Sequence, residues 1–153
     1  MNGMNIKGIA WDYQGDGYPL LLIRQELKKY DGCLLVFDLT EKTSFDILQR
    51  YLDEIKEQTQ ETFVCLLVGN KKDQKSKKEV TQKDVEEFMN RERKIIGYLE
   101  ASAKTGENVQ KAFETLLSAM TLHIIEGEPI RLTRPTLTDE ENRERRRRCR
   151  DRC

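Results

Sequence analysis

The sequence predicts an α/β domain with a mainly parallel sheet, because strand-like apolar runs alternate along the chain with amphipathic helical patterns. The runs Cys33–Phe37 and Phe63–Val68 are continuous in apolar residues, without the alternation of a half-exposed strand. Such runs are typical of strands that are covered on both faces. Polar residues follow these runs, and the carboxyl ends of parallel strands meet at one edge of a sheet, where ligands bind.

Four segments are predicted as strands. Ile6–Trp11 comes first, the two continuous runs follow, and Ile95–Leu99 is a weaker fourth candidate. We expect a ligand site at the edge where the strands end, because the sheet would gather there the polar residues that follow them. These residues are Asp12, Asp38, Asn70 to Asp73 and Ser102 to Lys104.

Amphipathic periodicity predicts helices between and after these strands. Thr43–Gln58 has an apolar stripe, with its first residue as the N-cap. Thr81 and Asp84 have the spacing of a capping box at the start of the next helix. Tyr18–Tyr30 is a less regular candidate. The strongest pattern lies over Asn108–Ile125, whose predicted buried face consists of Val109, Phe113, Leu116, Leu117 and Met120.

The length of 153 residues favours a single domain, and the net charge of zero conceals a basic end. Residues 131–153 contain nine Arg against five Asp and Glu. We therefore expect a folded domain over 1–126 and a basic, disordered tail over 127–153. The four cysteines lack the spacing of a zinc site or a disulfide framework. No signal-peptide pattern or apolar stretch of ~20 residues is apparent, so we expect a cytoplasmic protein.

The segment Asn70–Asp73 reads Asn-Lys-Lys-Asp and follows a predicted buried strand and Gly69. The carboxylate of Asp73 can accept hydrogen bonds from the ring N1–H and the exocyclic amine of guanine, which adenine does not offer in that arrangement. Hydrogen bonds to a charged group contribute roughly 1.5–3 kcal/mol each. Three fixed residues also occur by chance, and a solvated turn is the alternative. The position after a strand favours a guanine site.

A second segment supports this interpretation. Ser102-Ala103-Lys104 follows the next predicted strand, where a backbone N–H near Ala103 could bond the guanine carbonyl oxygen and Ser102 could orient Asp73. The aliphatic stem of Lys71 can lie flat along the base with its ammonium in solvent.

In order and spacing, these segments resemble the two base-recognition motifs of Ras-like small GTPases. The segment 11–15, Trp-Asp-Tyr-Gln-Gly, is similar to the start of the family's second switch, and the segments 36–45 and 100–109 resemble the Rab branch. The resemblance implies a three-layer P-loop GTPase-like fold, GTP or GDP with Mg²⁺ as ligand, effector and regulatory proteins as partners, and a role in vesicle trafficking. Asp12 would be the Mg²⁺-linked aspartate and Gly15 the glycine that senses the γ-phosphate.

The sequence departs from the family at the phosphates. The phosphate loop, G-x-x-x-x-G-K-[S/T], occurs nowhere in it, and Asp16 stands where the family has the glutamine that orients the attacking water. We therefore expect an incomplete fold without the first strand, weak nucleotide binding and little or no hydrolysis. Three explanations stay open: an incomplete gene product, direct pairing of the flanking strands, or a fold completed by a partner.

The tail combines Arg145–Arg148 with Cys149 and Cys153. Arginines attract an anionic membrane, and lipid on the cysteines would supply a second anchor, so we expect prenylation, more at Cys153 than at Cys149, and a place on the cytosolic face of intracellular membranes. Nucleic acid is a weaker alternative, because no aromatic residues are interleaved with the arginines. A non-catalytic module that binds effectors or membranes without nucleotide is the alternative function.

Overall fold

The computed structural model describes residues 8–12, 24 and 27–126, and within them the chain forms a parallel sheet of three strands. Strand β1 spans Gly32–Asp38, β2 spans Val64–Asn70 and β3 spans Ile95–Glu100. The strand order is β1-β2-β3, so β2 lies in the middle. The register pairs Asp38 with Asn70 and Gly69 with Glu100, so all three strands end at one edge. This confirms the predicted α/β class with a parallel sheet.

Helices connect the strands. Helices α1 (Lys42–Asp46) and α2 (Leu48–Gln58) lie between β1 and β2. A single 3₁₀ turn at Lys75–Lys77 and helix α3 (Gln82–Arg91) lie between β2 and β3, and helix α4 (Val109–Glu126) follows β3. None of the helices in the described ranges is long and apolar enough to cross a bilayer.

The sheet separates two buried clusters, because neighbouring side chains of each strand point to opposite faces. On the first face, which we call the closed face, helices α1, α2 and α3 pack on Leu35, Phe37, Cys65 and Leu67. On the second, which we call the α4 face, the helix packs through Ala112, Leu116 and Ala119 on the strand residues Val64, Leu66, Val68 and Ile96.

The single helix predicted over Thr43–Gln58 is wrong in detail, because the structure has two helices that meet at Ile47. The predicted N-cap is also wrong. Glu41 occupies that position without a side-chain cap, and the hydroxyl of Thr43 donates to its carboxylate at 2.8 Å. The Ser44 hydroxyl instead bonds the end of β1, accepting the Asp38 N–H at 2.9 Å.

The capping box at the start of α3 is confirmed. The hydroxyl of Thr81 accepts the N–H of Asp84 at 3.2 Å, and the Asp84 carboxylate accepts the N–H of Thr81 at 2.8 Å. These reciprocal bonds satisfy backbone donors that the helix itself cannot use. The Lys42 ammonium lies 2.7 Å from the same carboxylate and links α1 to α3.

The predicted helix at the end of the domain is present as α4, but its predicted face is partly wrong. Ala112, Leu116 and Ala119 are buried, whereas Phe113 is 44% exposed. Small alanines allow the helix axis to approach the sheet closely, which the pattern of large apolar residues did not indicate. The large side chain of Phe113 therefore lies at the margin of the α4 face.

The strand predicted over Ile6–Trp11 is absent from the part of it that is described, residues 8–11. Ile9 and Trp11 are 70% and 67% exposed. Gly8 lies against α4, where a β-carbon would come within 3.2 Å of Leu117 Cδ2. An apolar run becomes a strand only when a neighbouring strand accepts its hydrogen bonds, and none does so here within the described residues.

Several predictions fall on residues that the structure does not describe. They are the roles of Gly15 and Asp16, the tail over 127–153 with Cys149 and Cys153, and most of the helix over Tyr18–Tyr30.

Candidate base-binding site

Asn70, the last residue of β2, joins the two loops that the sequence singled out. Its side-chain Oδ1 accepts the backbone N–H of Ala103 at 3.0 Å and that of Lys71 at 2.8 Å. The first bond ties the loop after β2 to the loop after β3. The predicted convergence of Asn70 and Ala103 at the edge of the sheet is therefore present.

Asp73 and Ser102 form the second link between these loops. The hydroxyl of Ser102, which is fully buried, donates to Asp73 Oδ1 at 2.6 Å, while Asp73 itself is exposed. This hydrogen bond is the main cause that lowers the pKa of Asp73, and the positive charges of Lys104 and Lys71 act in the same direction. The carboxylate is thus ionised, oriented and accessible, as a reader of guanine requires.

The loop after β3 is fixed by its own backbone. The carbonyl of Ser102 accepts the N–H of Gly106 at 2.9 Å, and its hydroxyl accepts the N–H of Thr105 at 3.2 Å. The N–H of Ala103 is already bonded to Asn70. The next N–H, that of Lys104, makes no hydrogen bond with any described residue. Lys104 therefore offers the available backbone donor for a base carbonyl.

The ammonium of Lys71 is not free in solvent as the sequence suggested. Its Nζ lies 2.5 Å from Oδ2 of Asp38, and the Lys71 side chain is 48% exposed. The sequence predicted that Asp38 lies at this edge of the sheet but indicated no role for it. Paired charges that follow neighbouring strands were a signal that could have identified this contact.

Gly69 leaves room for two side chains beneath the site. A β-carbon at this position would lie 2.8 Å from Leu39 Cδ2 and 2.9 Å from the hydroxyl oxygen of Tyr98. A β-carbon essentially never comes this close to another heavy atom, so a larger residue would force the side chains of Leu39 and Tyr98 to shift.

Of the predicted phosphate and Mg²⁺ residues, Asp12 lies within the described structure and Gly15 does not. Asp12 is exposed within the non-strand segment 8–12, and its Mg²⁺-linked role stays a prediction. Across residues 8–12, 24 and 27–126, no group of three His, Cys, Asp or Glu side chains could hold a metal ion. Mg²⁺ commonly takes only one or two protein ligands beside nucleotide phosphates, so this finding does not test the predicted Mg²⁺ role.

A parallel α/β sheet whose strand ends carry polar loops is the architecture of many nucleotide-binding folds. The model of the Ras family matches residues 2–122. The chain belongs to the Ras family.

Curated relatives place the chain near the Rab branch. It is 31% identical to "Ras-related protein Rab2BV" of Beta vulgaris over 125 residues, which cover 82% of this chain and 57% of the relative. It is 31% identical to "Ras-related protein RABA2a" of Arabidopsis thaliana, over 77% of this chain and 54% of the relative. It is 30% identical to "Ras-related protein YPTC6" of Chlamydomonas reinhardtii, over 94% of this chain and 62% of the relative. The chain thus spans little more than half the length of these relatives.

Proposed function

We propose that this chain recognises the guanine base through Asp73, Ser102 and the backbone of Lys104, as the base-reading part of a Rab-like small GTPase. The observation that carries the proposal is the Ser102–Asp73 hydrogen bond of 2.6 Å, which orients an exposed carboxylate. Asn70 and Ala103 hold the two loops together. Lys71 supplies the stem against which the base lies.

The finer role follows from the Rab resemblance. We infer a function in vesicle-mediated membrane trafficking, with effector and regulatory proteins as partners and the basic, prenylated tail as membrane anchor. Affinity for GTP is weak and hydrolysis negligible, because the sequence contains no phosphate loop and has Asp16 at the position of the water-orienting glutamine. Calorimetric titration of the chain with GTP and Mg²⁺ tests this part, and a sub-micromolar dissociation constant would contradict it.

Base recognition is tested separately with nucleoside monophosphates, which make few demands on a phosphate site. Backbone amide NMR spectra of the chain are recorded with GMP, AMP and XMP. We expect GMP to shift the amide signals of Ala103 and Lys104 and AMP to leave them unchanged. Equal shifts with GMP and AMP would contradict the proposal.

Asp73→Asn sharpens this test. Xanthine carries a carbonyl oxygen where guanine carries the exocyclic amine, so the Asn amide can donate where the carboxylate accepted. We expect the variant to prefer XMP to GMP, with GMP binding weakened at least ~10-fold by the loss of a charge-assisted bond. Asp31→Asn, an exposed carboxylate just before the start of β1, is the matched control and should retain the preference for GMP.

The second candidate is an interaction module that works without nucleotide. Exposed apolar side chains on the α4 face, Val36 at 53% and Phe113 at 44%, favour it. Asp73→Ala distinguishes the two functions once a protein partner is available. Unchanged partner binding would support the module, whereas loss of binding would support a nucleotide-dependent switch.

A further inference from the structure

We propose that Asp38 is a positioning residue of the base site, whose carboxylate holds the Lys71 ammonium and so keeps the Lys71 stem over the edge where the base binds. The inference rests on the proposed function, since it concerns the same site. It assigns a role to the carboxylate that ends β1, which base recognition does not use directly.

Asp38 is built as a rigid anchor. Its Oδ1 accepts the backbone N–H of Thr40 at 2.8 Å and the Thr40 hydroxyl at 2.7 Å. Its own N–H donates to the Ser44 hydroxyl at 2.9 Å. These bonds fix the side chain in an Asx-type turn and leave Oδ2 for Lys71. Its side chain is only 15% exposed, so it has little freedom to move away.

Lys71 reaches this anchor from the neighbouring strand. Asp38 and Asn70 are register partners at the ends of β1 and β2, and Lys71 follows Asn70 with a φ of +64°. The stem therefore crosses from the end of β2 to the end of β1. Asp73 and Ser102 meet on the other side of β2, toward β3, so the stem and the polar reader flank the same strand end.

Packing does not fix the stem by itself. Lys71 lines a cavity of about 210 Å³ together with Leu39, Gln74 and Lys78, so there is room for the stem to change rotamer. A lysine side chain is among those that lose the most rotamer entropy when they become ordered. The ion pair at its tip orders the side chain before any ligand arrives.

Both partners carry their charges at neutral pH. Partial burial raises the pKa of Asp38, but the hydrogen bonds from Lys71 and Thr40 outweigh it and lower the pKa overall. The hydrogen bond to Asp38 raises the pKa of Lys71. Lys71 is 48% exposed and Asp38 is 15% exposed, so the pair contributes modestly to folding, and its main effect should appear in ligand binding.

The test is a double-mutant cycle read out by GMP titration. Asp38→Asn keeps an oxygen for the two Thr40 bonds and replaces the charged acceptor that faces Lys71 with an amide N–H₂ donor. Lys71→Met keeps an apolar stem and removes the ammonium. We expect Asp38→Asn to weaken GMP binding roughly 2- to 10-fold, because the long side chain of Lys71 would then have to be ordered when the ligand binds. In the Lys71→Met background the same change should weaken GMP binding no further. If the role of Asp38 were merely structural, the change would weaken binding equally in both backgrounds.

Glu54→Gln is the matched control. Glu54, which lies on α2, forms an ion pair with Arg24 at the same nitrogen-to-oxygen distance of 2.5 Å, and its side chain is 14% exposed. It contacts none of the base-site residues. We expect this variant to bind GMP like the wild type.

The outcomes separate the two proposals. If the wild type binds GMP and Asp38→Asn binds equally well, the role of Asp38 is overturned and the proposed function stands. If the wild type does not bind GMP, the proposed function is overturned, and the same cycle measured by urea unfolding decides the inference. Additive effects on unfolding would then overturn it, and coupling between the two changes would support the ordering of Lys71 by Asp38.

Discussion

The two faces of the sheet are covered to different extents. On the closed face three helices surround β1 and β2, and Leu35, Phe37 and Leu67 are between 0% and 7% exposed. On the α4 face the described cover is α4, and Val36, in the middle of β1, is 53% exposed. Two neighbouring residues of one strand, Val36 and Phe37, thus have opposite environments.

This difference shows what a continuous apolar run means. The run Cys33–Phe37 predicts a strand covered on both faces, but the described structure covers its odd-numbered positions far better than Val36. An apolar side chain that is half exposed contributes less hydrophobic stabilisation than a buried one. The candidate site lies at the end of β2, whose strand residues are buried on both faces.

The largest expected difference between the two faces comes from truncating two neighbouring leucines of β2. Leu67 on the closed face is 0% exposed and Leu66 on the α4 face is 1% exposed. We expect Leu67→Ala to lower the free energy of unfolding by about 4 kcal/mol and Leu66→Ala by about 2–3 kcal/mol, because the less enclosed face can relax around the lost volume. Urea unfolding measures both, and equal or reversed costs would contradict the asymmetry.

A smaller effect is expected where α1 and α3 meet on the closed face. The Lys42 ammonium, followed by the hydroxyl and N–H of Thr81, lowers the pKa of Asp84 from 3.8 to about 2. Because the folded value is depressed, the stabilisation is complete above the unfolded value and is lost as the pH falls from about 4 through about 2. Asp84→Asn should lower the free energy of unfolding at pH 7 by about 1 kcal/mol.

Unfolding curves between pH 2 and pH 7 measure this contribution. The gap between wild type and Asp84→Asn should close as the pH approaches 2. Glu87 is an exposed carboxylate on the same helix, and the free energies of unfolding of Glu87→Gln and the wild type should differ by almost nothing at every pH. A gap for Asp84→Asn that is independent of pH would show that the charge is not its cause.

The smallest effect on stability is expected at the margin of the α4 face. Phe113→Gln removes an aromatic ring that is 44% exposed, so we expect the free energy of unfolding to change by no more than about 0.5 kcal/mol. Any self-association through this apolar surface should become weaker. Phe88→Gln, 3% exposed on the closed face, is the contrasting variant and should be strongly destabilising. A cost above about 2 kcal/mol for Phe113→Gln would show that the ring is packed after all.

Much of the fold was predictable from the sequence because its signals are local. The strands β1 and β2 are continuous apolar runs, and the start of α3 carries a complete capping box. The strand over Ile6–Trp11 was wrong for residues 8–11, since a strand depends on a partner elsewhere in the chain. The break at Ile47 and the exposure of Phe113 likewise depend on tertiary packing, which periodicity does not record.

The candidate site was predictable in its residues but less so in its bonds. The strand-end rule placed Asn70, Asp73 and Ser102 together, and the structure adds that Asn70 occupies the N–H of Ala103. The pairing of Lys71 with Asp38 was missed, because motif spacing does not show which strands are neighbours. The roles of Asp12 and Gly15 stay predictions.

The backbone of Lys71 has a further consequence. A φ of +64° is readily adopted by glycine and tolerated by asparagine, and costs a lysine on the order of 1 kcal/mol. Neither favoured residue has a long stem or an ammonium, so the side chain proposed to contact the base is not the one that suits the turn. On the proposed role of Lys71, local stability is given up for ligand binding, and a sequence optimised only for folding would place glycine at this position.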